Sequence, residues 1–393
     1  MNPSRLLLSS VGLVACLALT GCEGGSTMNT LVAHSDITND INFLYERIFW
    51  WTVVLFALVQ GLLLWIAFRF KATGQETSEP EQVHGNTQME LAWTIAPVFI
   101  LLHIAIPTVS TIFSSQAPAK DDALIINSVG KQWWFAFAYP GLGDQPCRLD
   151  SGASSLSAQF AMNAEGEVQK KRRAAVAGTL DAEVDPKNCI VTANEIHIPA
   201  GREVEIRLQS DNVIHAFWLP QLGAKRDMIP GHVNRIKFTA DKTGLFLGQC
   251  AEYCSDSHAL MKFRVVVDTP EDFAKWVASQ KAPADLTDAA KAGNQAFAGA
   301  GCGACHAVHG YSDDMRVGPN LTHVASRTAI AAGILANGAS FESAEIDPVK
   351  QRENFKKWVA NAPSVKPGTL MPDYSSMDEA QLNAVVDYLM TLK

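Results

Sequence analysis

Two stretches of this chain are long and apolar enough to cross a bilayer, and they fix part of its structure before any other residue is considered. Ile48 to Phe68 is nearly uncharged and opens on Phe49-Trp50-Trp51, while Leu91 to Phe113 is apolar with Pro97, His103 and Pro107 inside it. A spanning helix needs about 20 such residues, and backbone in lipid must satisfy its own N–H and C=O groups, so a two-helix hairpin over residues 46–113 is predicted. Arg69 and Lys71 directly follow the first stretch, which favours a cytoplasmic turn and puts both flanking regions outside. An earlier apolar run, Leu6 to Leu19, follows Arg5 and ends in Leu19-Thr20-Gly21-Cys22. It is too short to span. Residues 1–21 read as a bacterial lipoprotein signal peptide that leaves Cys22 as the lipid-bearing N-terminus; the alternative is an ordinary secretory signal or a first anchor with Cys22 unmodified.

At 393 residues the chain exceeds one domain. Alternating apolar patterns predict strands at Ala123–Val129, Phe135–Tyr139, Cys189–Ile198, Val204–Gln209, Arg235–Ala240 and Phe263–Asp268, with turns such as Pro199-Ala-Gly201. Antiparallel strands in this order suit a Greek-key β-sandwich of the cupredoxin kind over 120–268, carrying a polar insertion at 141–188. Residues 269–285 read as a linker, with a short helix at Glu271–Gln280 and a hinge at Lys281-Ala-Pro283-Ala-Asp285. From 286 to 393 the composition turns rich in Ala and Gly and helical. The last helix is expected to start on a capping box at Ser376 and Glu379 and to bury Leu382, Val385, Val386 and Leu389. The net charge of −8 argues against nucleic acid as a partner, and no phosphate loop or internal repeat is present.

Eight cysteines then need assignment. Cys16 leaves with the signal. Cys250-Ala-Glu252-Tyr-Cys254-Ser-Asp-Ser-His258-Ala-Leu-Met261 sets two thiols, an imidazole and a thioether in one loop, and His215 lies upstream. Cys250 and Cys254 alone fit a disulfide or half a zinc site. With His215, His258 and Met261, the soft sulfur and imidazole select copper, and two bridging thiolates can hold a pair of coppers that shares one unpaired electron. Cys302-Gly-Ala-Cys305-His306 is the attachment motif of a c-type haem, whose proximal ligand would be His306. On its own the motif also fits a redox dithiol or half a zinc site. The remaining pair, Cys147 and Cys189, suggests a disulfide closing the insertion in an oxidising compartment; the alternative is two unpaired thiols. The basic run Lys170-Lys171-Arg172-Arg173 in that insertion reads as a solvated loop.

The copper-ligand loop resembles the dinuclear (CuA) loop of cytochrome c oxidase subunit II, in the haem-copper oxidase superfamily. Leu222-Gly-Ala-Lys-Arg-Asp227-Met-Ile-Pro230-Gly231-His-Val-Asn234, Gln132-Trp133-Trp134 and Gln88-Met-Glu90-Leu-Ala-Trp93-Thr-Ile-Ala-Pro97 are also similar to family segments, in family order. Val317-Gly318-Pro319-Asn320-Leu321 and Lys366-Pro-Gly-Thr-Leu-Met371-Pro372 resemble the turn beneath the haem and the methionine loop of small cytochromes c, which makes Met371 the expected distal ligand of an all-α class I domain. The resemblance implies a fused electron carrier. Its electrons would pass from the haem by way of Trp133 to the copper pair and on to subunit I, with its haems and CuB, where oxygen becomes water and protons are pumped.

It further implies that the Glu252 carbonyl is a weak copper ligand and its carboxylate binds Mg or Mn shared with subunit I. Trp133 would be a surface indole accepting electrons, against the alternative of a core or membrane-interface Trp. Glu90 would stand at the mouth of a proton pathway, against the alternative of a first-turn Glu complementing the helix dipole. Subunit III and an upstream cytochrome c or quinol-cytochrome c reductase complex complete the expected partners, at the bacterial inner membrane with both redox domains outside. Two positions depart from the family pattern: Trp134-Phe135-Ala136 follows Trp133, and Asn212 stands where an acid often assists cytochrome docking. Loss of that acid points to the tethered haem domain as the direct donor, docking at high effective concentration. Two other readings are a subunit of a copper-containing nitric oxide reductase and a stand-alone membrane-tethered carrier.

Overall fold

The computed structural model describes residues 27–71, 74, 82, 84–145, 189–282, 288–309 and 317–393. Cys22, Cys147, the basic run at 170–173 and residues 283–285 of the expected hinge 281–285 lie outside the described residues.

The apolar stretches form helices α1 (Asp36–Arg69) and α2 (Thr87–Gln116), both long enough to span and without buried residues in their most apolar parts. Their outward faces carry Leu, Val, Phe and Trp, as lipid-facing helices do. Ser35 caps α1 in a reciprocal pair with Thr38, which satisfies N–H groups the helix cannot bond itself. The same serine donates to Leu222 O at 2.6 Å, and Asp36 Oδ1 accepts from Thr239 N at 2.8 Å, so this end of α1 is tied to the β-domain.

Two five-stranded sheets face each other in that domain. One runs β3 (Cys189–Ala193), β2 (Trp134–Gln145), β1 (Leu124–Lys131), β5 (Glu203–Ser210), β8 (Asn234–Thr239). The other runs β4 (Glu195–Pro199), β10 (Lys262–Asp268), β9 (Gly244–Cys250), β6 (His215–Trp218), β7 (Lys225–Met228). Pairs β1–β5 and β4–β10 are parallel and the rest antiparallel. Phe135, Phe137, Phe217 and Phe263 fill the space between the sheets, the last two stacked at 4.2 Å.

The expected strand Cys189–Ile198 is two strands, one in each sheet. Asn194 breaks it at φ 59°, in the left-handed region that Asn tolerates, and its Oδ1 accepts from Phe135 N at 2.9 Å. Strand β2 also runs past 141 to Gln145. Helix α3 (Pro270–Lys281) packs Phe273 into the sandwich core and stacks Trp276 on His197 at 4.7 Å.

In the C-terminal domain, α4 (Asp288–Gly299) crosses α7 (Glu379–Thr391), with α5 (Pro348–Ala360) and α6 (Ala362–Val365) beside them and a minimal hairpin of β11 (Ala329–Ile330) and β12 (Leu335–Ala336). Gly293 lets α4 approach α7, because a Cβ there would lie 2.6 Å from that of Tyr388. The expected stripe Leu382, Val385, Val386 and Leu389 is buried. The cap of α7, however, is Asp378 rather than Ser376: its carboxylate accepts from Ala380 N at 3.0 Å and Gln381 N at 3.3 Å, and a carboxylate at that end also complements the dipole.

Candidate metal centres

His215 begins β6 and Cys250 ends β9, two antiparallel neighbours whose pairing brings the ends together. The chain then turns through Cys254 and a single 3-10 turn at His258–Leu260 before β10, which returns Met261 to the same place. Cys250 Sγ lies 3.8 Å from Cys254 Sγ and 3.9 Å from His215 Nδ1. Cys254 Sγ lies 3.6 Å from His258 Nδ1 and 4.0 Å from Met261 Sδ. The Glu252 carbonyl is 3.2 Å from Cys250 Sγ, and its side chain is exposed.

These separations fit donors arranged around first-row ions, at bonds of roughly 2.0–2.3 Å as for imidazole and thiolate on zinc. His215, Cys250, Cys254 and Met261 are buried and His258 half-buried. A set with two thiols and a thioether suits copper, as the residue types imply. Cys250 is the more acidic thiol, pushed down to about 3 chiefly by the hydrogen bond with Cys254, against its burial and with help from His215. Cys254 is pushed up as the holder of the shared proton.

Residues that sequence reasoning passed over hold the candidate ligands. Asn212 Oδ1 lies 3.0 Å from His215 Nε2, which fixes the ring with Nδ1 toward the sulfurs. Gly130 backs that ring, since a Cβ there would sit 2.9 Å from His215 Cδ2. Asn212 was noted only as a missing acid; its three-residue offset from His215 was the available signal.

Trp133 is not a surface indole. It is 7% exposed, and its Nε1 donates to Cys254 O at 2.7 Å. What covers it is the methionine loop of the C-terminal domain. Buried Lys366 donates from Nζ to Trp133 O, Ser257 donates to Pro367 O at 2.5 Å, and a Cβ on Gly368 would lie 2.5 Å from the indole Cη2. Burial pulls Lys366 down to about 7, with the charge on Cys254 opposing.

In that domain Cys302 and Cys305 are free thiols on a short turn after α4. His306 Nδ1 lies 2.8 Å from Pro319 O, which leaves Nε2 to bind iron, and burial keeps the imidazole neutral by lowering its pKa, against that hydrogen bond. Gly318 is a cradle for the ring: a Cβ would come 2.5 Å from His306 Cε1. Met371 packs at the edge of the hydrophobic cluster. Donors, cradle and apolar lining fit a covalently held haem. Glu90, at the far end of the hairpin, folds back so that its carboxylate accepts from Asn86 N at 3.2 Å, a capping contact. Cys189 is disulfide-bonded, and its expected partner Cys147 is outside the described residues.

Three family profiles match the chain in order. "Cytochrome C oxidase subunit II, transmembrane domain" covers residues 25–111, "Cytochrome C oxidase subunit II, periplasmic domain" 124–269, and "Cytochrome c" 290–393. Among curated relatives, cytochrome c oxidase subunit 2 of Bacillus sp. strain PS3 is 30% identical, over 81% of this chain and 78% of that one. The proteins of the same name from Alkalihalophilus pseudofirmus and Bacillus subtilis are 28% and 27% identical, over 96% and 99% of this chain and 94% and 97% of theirs. A membrane hairpin, a sandwich with a His/Cys/Cys cluster and a haem-binding module thus stand on one polypeptide, which belongs to the cytochrome c oxidase subunit II family and carries a fused cytochrome c domain.

Proposed function

We propose that this chain is the electron-accepting subunit of a respiratory oxidase, holding a haem c with Cys302, Cys305, His306 and Met371 and a copper pair with His215, Cys250, Glu252 O, Cys254, His258 and Met261. When bound, the two groups supply one-electron chemistry at fixed geometry. The observation that carries the proposal is the seam between them. The methionine loop lies on Trp133, whose N–H is bonded to the carbonyl of a copper-ligand cysteine.

The residues around the groups have separable tasks. Asn212 and Gly130 hold His215 in one orientation, and Pro319 O does the same for His306. The two sheets keep the ligand-bearing strand ends fixed, so little rearrangement accompanies a change of charge. Trp133 gives a short hydrogen-bonded link from the loop to Cys254 O and keeps water from that side of the site.

Beyond this seam the reading follows the family. The exposed Glu252 carboxylate would take Mg or Mn at the contact with subunit I, a hard cation suited to oxygen. Glu90 would mark a proton entrance on the cytoplasmic side, subunit III would join the complex, and a cytochrome c or quinol-cytochrome c reductase complex would supply electrons. Both redox domains would face the periplasm, with Cys22 lipidated and Cys147 bridged to Cys189.

Purification of the chain from its native membrane tests the proposal. A complex that also carries subunit I haems and consumes oxygen with reduced cytochrome c is expected. A chain that comes out alone, or a complex that turns over nitric oxide in place of oxygen, would overturn it.

A further inference from the structure

The seam between the two redox domains extends well beyond the methionine loop, and its most buried members are charged. Glu195 and Arg264 are paired across the β4–β10 ladder, 4% and 1% exposed, yet their side-chain partners lie mainly in the C-terminal domain. Arg264 Nη1 donates to Thr328 O at 3.2 Å and to Thr328 Oγ1 at 3.1 Å, and Nη2 donates to Phe341 O at 2.8 Å. Glu195 accepts from Thr328 N at 2.9 Å and from the Thr328 hydroxyl. Beside them Lys262 N donates to Ala332 O at 3.0 Å, and His323 Nε2 lies 3.1 Å from Gln280 O. Lys366 is a further buried ionisable group, its Nζ donating to Trp133 O.

A transient electron-transfer encounter uses a small, wet surface whose charges stay hydrated in both states. Here the guanidinium, the carboxylate and the amine are all withdrawn from water and bonded mainly to groups of the opposite domain, Arg264 through Nη1 and Nη2 with its Nε left without a partner among the described residues. Buried charge is tolerated only when paired and hydrogen-bonded, so partial separation strips these groups of their bonds across the seam before water can replace them, Glu195 keeping only its contact with His197. Intermediate undocked arrangements are therefore disfavoured.

We propose that Glu195, Arg264 and Lys366 are positioning residues that seat the cytochrome c domain permanently on the copper domain, so that electrons cross without a docking step and Trp133 is closed to external donors. External donors must then reach the cytochrome c domain itself. The inference rests on the functional reading above, and the transfer concerned moves one electron and makes or breaks no bond.

The test uses the full chain, loaded with both groups, in detergent. Backbone amide exchange is read at Thr328 and Lys262, whose N–H groups cross the seam, and the internal transfer rate is followed after photoreduction against glycerol and NaCl. In the wild type both amides should be protected and the rate should ignore viscosity and salt. The double variant Arg264→Met, Lys366→Met should lose about 100-fold in amide protection and at least about tenfold in rate, and should become viscosity-dependent, while its copper spin signal and haem spectrum stay unchanged. Should that variant misfold, Thr328→Val and the wild-type measurements still decide. A wild-type rate that falls with viscosity, or a double variant as protected and as fast as wild type, overturns the inference. Failure of the wild type to load both groups would instead overturn the functional reading.

Discussion

Raising the pH from 6 to 10 should remove one ion cluster from the β-sandwich domain. His197 sits between two carboxylates, with Nδ1 2.8 Å from Asp268 and Nε2 3.7 Å from Glu195, and its ring stacks on Trp276. Burial by itself pulls the imidazole down, but the hydrogen bonds and charges of Asp268 and Glu195 outweigh it and raise the ring to about 9 from an ordinary 6.5. The folded value lies above the unfolded one, so the imidazolium's contribution is fully present below about pH 6.5 and is lost as pH rises through 9. A shift of that size corresponds to roughly 3 kcal/mol, or about 10 °C in Tm for a domain of this size. Thermal unfolding of wild type and His197→Gln, followed through loss of the copper absorption, isolates it from other titrations. The gap between the two should be widest at pH 6 and shrink by about 10 °C at pH 10. A gap that stays constant across that range would refute the reasoning.

Asn212→Leu frees His215 Nε2 without touching a ligand atom and should weaken copper binding about 10- to 100-fold in a competitive chelator titration. Met261→Leu keeps the packing but removes the thioether 4.0 Å from Cys254 Sγ; both coppers should stay while the reduction potential moves, read by spectroelectrochemistry. Cys302→Ala with Cys305→Ala should leave a haem that acidified solvent extracts, whereas the wild type keeps its haem on a denaturing gel.

Local chemistry was the most legible part of this chain. Four candidate copper-binding side chains fall within one loop and the two candidate haem-attachment thiols within one pentapeptide, so residue type and spacing singled them out. The membrane helices were equally plain, because lipid admits no other form for such stretches. What the sequence hid was anything decided by partners far along the chain. Strands β6, β7 and β9 went unpredicted: the first two are four residues long, and β9 is an apolar run without strict alternation. Asn194 split an apparently continuous strand by adopting a left-handed conformation that no pattern of hydrophobicity records. The burial of Trp133 depends on Gly368, in another domain, and Arg264, within the predicted strand Phe263–Asp268, is bonded to Thr328 and Phe341 of that domain, which no local pattern reveals. Asp378 displaced Ser376 as a cap because two residues of the same capping class compete for one helix end.

The central claim is a sulfur-bridged copper pair beside a covalently held haem on one chain. Metal counting and the low-temperature electron-spin spectrum of the intact, fully loaded protein address it directly. The account predicts two coppers and one haem iron per chain, with a single unpaired electron coupled equally to two copper nuclei. One copper per chain, or a spectrum from an electron on a single nucleus, would contradict it.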